Sequence, residues 1–155
     1  MYTQSAFAAP PVELAKTREA KSRVWVINSG NANAATGEPG RHDAEQICAC
    51  VADQLAGVDA TQVQPFSTGV IGERLNVPLL QQAAQKSTVE LKPDGWLAAA
   101  TAIMTTDTVA KLVSRRVTLS TGDVVITGMA KGSGMIKPDM ALSLIHISEP
   151  TRRYE

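Results

Sequence analysis

Residues 24–40 read VWVINSGNANAATGEPG. The first four are apolar and β-rich, the rest is dense in Asn, Gly and Ala, and a proline stands near the end. This order reads as a short buried strand, Val24 to Ile27, followed by a long turn-rich loop over residues 28–40, a kind of connection that often carries function. A helix is expected next. Asp43 can cap it, with Gln46 three residues on as in a capping box. Ala44, Ile47, Cys48, Val51, Ala52 and Leu55 then recur at helical spacing, and Gly57 is a good stop.

Upstream, residues 7–12 (FAAPPV) are broken by prolines and read as extended or loop. Downstream, Val63 to Phe66 suits a short strand that ends in a loop over residues 67–72. Residues 78–85 have a second helical pattern, with Pro78 tolerated in the first turn. Asp94 can cap a third helix, with Trp96, Leu97, Ala100, Ile103 and Met104 apolar, closed by the polar cluster Thr105-Thr106-Asp107-Thr108. Residues 111–119 and 123–127 suit two strands joined at Ser120-Thr121-Gly122, and residues 128–134 form a glycine-rich loop. Strands and helices are mixed, so the class is α/β or α+β.

The chain has 155 residues, which suits one domain or part of a larger one. Only 4% are aromatic, so the core must be built mostly from aliphatic side chains. Lys and Arg total 15 and so do Asp and Glu, a balance that gives no electrostatic case for nucleic acid or an anionic membrane. No apolar run is long enough to span a bilayer, and the first residues lack the pattern of a signal peptide. Cys48 and Cys50 sit on one expected helix and point apart, so they read as small core residues in a protein of the reducing cytoplasm.

Three stretches and two histidines invite a chemical reading. Gly128, Lys131, Gly132 and Gly134 could cradle an anion on bare backbone N–H groups, or form a tight turn; neither the Walker nor the dinucleotide spacing is present. Ser67-Thr68-Gly69 could aim a hydroxyl and an amide at a developing oxyanion, or be an ordinary β-turn. The Thr105 to Thr108 cluster is equally a solvated helix end. His42 reads as an exposed loop residue, and His146 has no neighbour that would complete a metal site.

Taken in order, the motifs resemble one family. Residues 28–34 (NSGNANA), 67–72 (STGVIG), 102–108 (AIMTTDT) and 128–136 (GMAKGSGMI) are similar in sequence and spacing to the ornithine acetyltransferases, named for the argJ step, and the similarity covers roughly residues 2–141. The resemblance implies a layered αββα sandwich and a precursor that cleaves itself between Ala and Thr into α and β chains, assembled as α2β2. The new terminal Thr is the nucleophile, activated by its own amine. It takes acetyl from N-acetylornithine and passes it to glutamate. No cofactor is implied, although acetyl-CoA serves some members as a co-substrate. By position, Thr68 and Gly69 resemble the oxyanion-hole pair, Thr108 and Lys131 resemble substrate-binding residues, and Ala141 resembles the last residue of the α chain. Residues 28–34 are expected to be a shaped loop of unassigned role.

At the cleavage site the family reads Met-Ala-Thr and this chain reads Met140-Ala141-Leu142. Leucine has no hydroxyl to cleave the chain or to attack an acetyl group, and Ser143 falls on the opposite side of an extended chain. Residues 142–152 (LSLIHISEPTR) resemble a translated sequencing adapter; the alternative is a divergent tail with Leu144, Ile145 and Ile147 docked on the core. Thr3 aligns inside the family's usual start, so opening strands are expected to be missing. The expectation is therefore an α-chain fragment over residues 2–141, inactive alone and poorly soluble, with a non-family tail over 142–155. The alternatives are a short non-catalytic protein that binds a small ligand or a β chain, and an amidase of the related self-cleaving aminopeptidase fold.

Overall fold

A computed structural model describes Tyr2 and residues 5–132. The first helix, α1 (Pro10–Arg18), starts on two consecutive prolines. The first turn of a helix has no use for their missing N–H groups, so the prolines initiate here. This corrects the reading of residues 10–12 as extended or loop, while residues 7–9 precede the helix as that reading has them.

A strand, β1 (Val24–Asn31), a helix, α2 (Gly37–Asp53), and a second strand, β2 (Val63–Val70), form a βαβ unit in which β1 and β2 pair in parallel. Both strands run past their sequence-predicted ends. Asn28 to Asn31 have little β preference, but they find partners in Ser67 to Val70, and that pairing overrides local propensity. The α2 helix begins at Gly37 and not after Asp43, with Pro39 accommodated in its first turn. Asp43 therefore lies within the helix, where its side chain takes a different partner. His42 is exposed, as expected, but on this helix and not on a loop.

The apolar face of α2 covers the sheet. Cys48, Val51 and Ala52 pack with Val63 and Ala84, flanked by Val24 and Val26. Each fully buried Val or Leu contributes roughly 1.5–3 kcal/mol. Cys48 belongs to this core, and burial pushes its thiol pKa up despite the nearby Arg18. Cys50 is half-buried and faces the Gln81 carbonyl. The α1 helix seals the other edge of β2: the Arg18 guanidinium donates to the Val63 carbonyl at 2.8 Å.

Two further helices follow, α3 (Val77–Val89) and α4 (Trp96–Ala102). Asn76 caps α3 by accepting from the Leu79 amide, whereas α4 starts at Gly95 without the side-chain cap expected from Asp94. The hairpin of β3 (Lys111–Leu119) and β4 (Gly122–Ala130) forms a separate antiparallel sheet. Its second strand extends through Ala130, which corrects the reading of residues 128–130 as loop; Lys131 and Gly132 follow, and Ser133 and Gly134 lie outside the described residues. Alternation places Val113, Val117, Leu119, Val124 and Ile126 on one face, and all five are exposed. No helix among the described residues is long and apolar enough to cross a membrane.

Candidate active site

Parallel sheets bind ligands beyond the carboxyl ends of their strands. Here those ends are Asn28 to Asn31 and Ser67 to Val70, two of the motifs singled out by sequence. Thr68 pairs with Ser29, and Gly69 with Gly30. Thr68 is buried, while the Gly69 backbone is exposed at a φ of +132°. A side chain at Gly69 would collide with the Gly30 carbonyl and the Asn31 nitrogen, so only glycine lets the two strand ends approach this closely.

The Asn-rich stretch has a definite role. The Ser67 hydroxyl donates to Asn28 Oδ1 at 2.7 Å, and Asn28 Nδ2 donates to the Asn31 carbonyl at 2.7 Å. The Ala32 amide donates to the Val70 carbonyl at 2.7 Å, and the Gly72 amide to the Ala34 carbonyl at 3.0 Å. Buried Asn33 donates to the Gly40 carbonyl at 2.7 Å and accepts from the Thr36 hydroxyl, which ties the stretch to the first turn of α2. Residues 28–34 are thus a scaffold that holds residues 67–72. Arg74 anchors the end of that loop, through paired hydrogen bonds of 2.5 and 2.6 Å to the buried Asp43 carboxylate. Asp43, expected as a helix cap, instead clamps the segment beyond β2.

A second cluster forms around Asp107, which sequence reasoning passed over as part of a polar helix end. Its carboxylate, 1% exposed, accepts from Lys111 Nζ at 2.6 Å. It also accepts from the amides of Gly132 at 2.7 Å and Thr105 at 3.3 Å, and Lys131 Nζ stands 3.8 Å away. Burial alone would raise the Asp107 pKa. The Lys111 hydrogen bond, the two amides and the Lys111 charge outweigh it and hold the carboxyl at about 2. The only sequence signal was an acid among threonines with lysines at 111 and 131.

The cluster therefore gathers Lys131 and the segment that ends in Thr108, whose side chain is exposed. One hydrogen bond joins it to the first cluster: the Ser29 hydroxyl donates to the Met104 carbonyl at 2.9 Å. Ser29 is the strand partner of Thr68. The structure thus places Thr68 and Gly69 at one strand end and Lys131 at the Asp107 cluster, with the Ser29–Met104 hydrogen bond between the two segments. Ala141, Leu142, Ser143 and His146 lie outside the described residues.

A model of the ArgJ family matches residues 1–149. The chain belongs to the ArgJ family. Among curated members it is 49% identical over 149 residues to the arginine biosynthesis bifunctional protein ArgJ of Pseudomonas syringae pv. tomato, covering 96% of this chain and 36% of that protein. It is 46% identical over 153 residues to the corresponding Methylococcus capsulatus protein, covering 98% and 37%. The chain thus spans little more than a third of the curated ArgJ proteins it matches. Two solved structures share the fold. The ArgJ protein of Bacillus halodurans superposes with a TM-score of 0.78 at 35% identity, covering 88% of this chain and 73% of that one. The Mycobacterium tuberculosis ornithine acetyltransferase, solved with ornithine, gives 0.78 at 33% identity, covering 88% and 74%. The mixed α/β architecture described above is therefore the ArgJ fold, in an acetyltransferase family of arginine biosynthesis.

Proposed function

We propose that this chain carries the oxyanion and substrate-binding side of a glutamate N-acetyltransferase site. The reaction moves an acetyl group from N-acetylornithine to glutamate; acetyl-CoA is the alternative donor. Each half-reaction passes through a tetrahedral oxyanion, which a donor pair at Thr68 and Gly69 would stabilise. The Lys131 ammonium would hold a substrate carboxylate, with Thr108 beside it. The observation that carries this reading is the hydrogen bond from Ser29, strand partner of Thr68, to the Met104 carbonyl, just ahead of the segment that holds Asp107.

Two features bear on the rest of the site. Leu142 stands where the family's nucleophilic Thr is expected, so we propose that the chain as written does not turn over. On the hairpin face, Val113, Val117, Leu119, Val124 and Ile126 are exposed, with no described residue covering them. We propose that polypeptide of the kind relatives carry beyond the matched span, the β chain of the precursor, covers it in an α2β2 enzyme. The reading of residues 128–134 as a free anion cradle is disfavoured, because the Gly132 amide already serves Asp107.

The test joins residues 1–141 to the remaining length of the Pseudomonas relative, with either Thr or Leu at position 142. Acetyl transfer from N-acetylornithine to glutamate is expected with Thr and not with Leu, and Lys131→Met in the Thr form should reduce it at least tenfold. Turnover with Leu142, or a folded Thr form without turnover, would overturn the proposal.

A further inference from the structure

We propose that Asp107 is a positioning residue that aims Lys131 while leaving its ammonium available, and that Lys111 is the counter-ion that makes this possible. The proposal rests on the reading of Lys131 as a substrate-holding residue. Its physical basis is the unequal loading of the two carboxylate oxygens.

Oδ1 is fully occupied. It accepts the Lys111 ammonium at 2.6 Å and the Gly132 amide at 2.7 Å. Among the described residues Oδ2 accepts only the Thr105 amide at 3.3 Å, and Lys131 Nζ lies 3.8 Å from it. That separation is within Coulomb range and beyond a hydrogen bond. The Lys131 ammonium, 14% exposed, is therefore attracted to Asp107 without giving it a proton donor. Its donors remain for another acceptor. One carboxylate facing two ammonium groups also leaves a net positive charge in the cluster, which suits an anionic ligand.

The same carboxylate fixes the backbone on both sides. Gly132, whose amide it holds, follows Lys131, and Thr108 follows Asp107 itself. A buried carboxylate with this many donors persists because each removed donor would leave charge without compensation. The arrangement is asymmetric for a reason. If Lys111 did not share the charge of the carboxylate, Lys131 would be drawn more strongly to Oδ2 and form the shorter pair.

The test is trace acetylation of the purified chain with isotope-coded acetic anhydride, read lysine by lysine by mass spectrometry across pH. Lys21 and Lys86 serve as internal references. Lys111→Met should lower Lys131 reactivity roughly three- to tenfold, because a tighter pair raises the amine pKa and each unit is tenfold in free amine. Asp107→Asn should raise Lys131 and Lys111 reactivity by a similar factor with the references unchanged. If the references rise with it, that variant has unfolded and Lys111→Met, which keeps the carboxylate, decides. Unchanged Lys131 reactivity in Lys111→Met overturns the proposal. No substrate is present, so this result is independent of whether the chain belongs to a working acetyltransferase.

Discussion

Gly69→Ala separates two effects that usually act together at a glycine. Gly69 has a φ of +132°, where an L side chain is strained, and an added Cβ would strike the Gly30 carbonyl and the Asn31 nitrogen. The strain costs roughly 1–3 kcal/mol. The collision is with backbone on a paired strand, which cannot rotate away, and overpacking of this kind adds roughly 1–3 kcal/mol. The expected loss is therefore about 2–6 kcal/mol, a large share of the ~5–15 kcal/mol that holds a typical domain. Gly57→Ala is the matched control: its φ is +72° and nothing lies within 4 Å of an added Cβ, so only strain applies, at roughly 1 kcal/mol. The assay is urea unfolding followed by circular dichroism, comparing midpoints and slopes. Equal losses in the two variants would show that the strand ends are not in close approach. The geometry assigned to the Thr68–Gly69 half of the site would then be wrong.

Three further outcomes are expected. The Asp107 carboxyl is held at about 2, below its ordinary value of ~3.9, so its contribution is complete above pH ~4 and is lost as pH falls towards 2. Allowing for solvent screening around the partly exposed Lys111, this is about 1–2 kcal/mol between pH 5 and pH 2, and the increment should vanish in Asp107→Asn melts. Arg74→Ala removes both Arg74 donors from buried Asp43 and should lower the urea midpoint, with part of the loss recovered in the Asp43→Asn, Arg74→Ala double variant. Ile126→Lys, on the uncovered hairpin face, should change the stability of this chain by less than ~0.5 kcal/mol and reduce its self-association in sedimentation velocity.

The sequence showed what local chemistry controls. The two strand-like runs joined at the Ser120-Thr121-Gly122 turn marked the hairpin, and the apolar spacing from Ala44 to Ala52 marked the buried face of α2. It failed where a distant partner decides. Asn28 to Asn31 look like a loop because their strand character comes from Ser67 to Val70. Asp43 looks like a cap because Arg74, its real partner, is 31 residues away. The start of α1 was hidden by two prolines that break most structure yet fit one position in a helix. The site followed the same rule. The order of the motifs carried the resemblance to the family, and Thr68, Gly69, Thr108 and Lys131 are expected from that resemblance alone. Asp107 was not legible, because its importance lies in contacts with residues at 111, 131 and 132, and no spacing rule joins them.

The two clusters of the candidate site are held by different forces, and this bears on how they would work together. The Thr68–Gly69 end rests on strand pairing and on neutral hydrogen bonds among Asn28, Asn31, Ser67 and backbone groups. None of those groups titrates over the ordinary pH range. Such a frame suits an oxyanion hole, whose donors must stay fixed while charge appears and disappears on the ligand. The Thr108–Lys131 end rests on charge, with two ammonium groups sharing one buried carboxylate. Such a frame suits recognition of a charged substrate, since an incoming carboxylate can compete with Asp107 for Lys131 without disturbing Lys111. The Ser29 to Met104 hydrogen bond is the join between them. In the proposed acyl-transfer site, the rigid neutral half would give a fixed place for the reacting carbonyl and the electrostatically adjustable half an adaptable one for the amino acid that carries it.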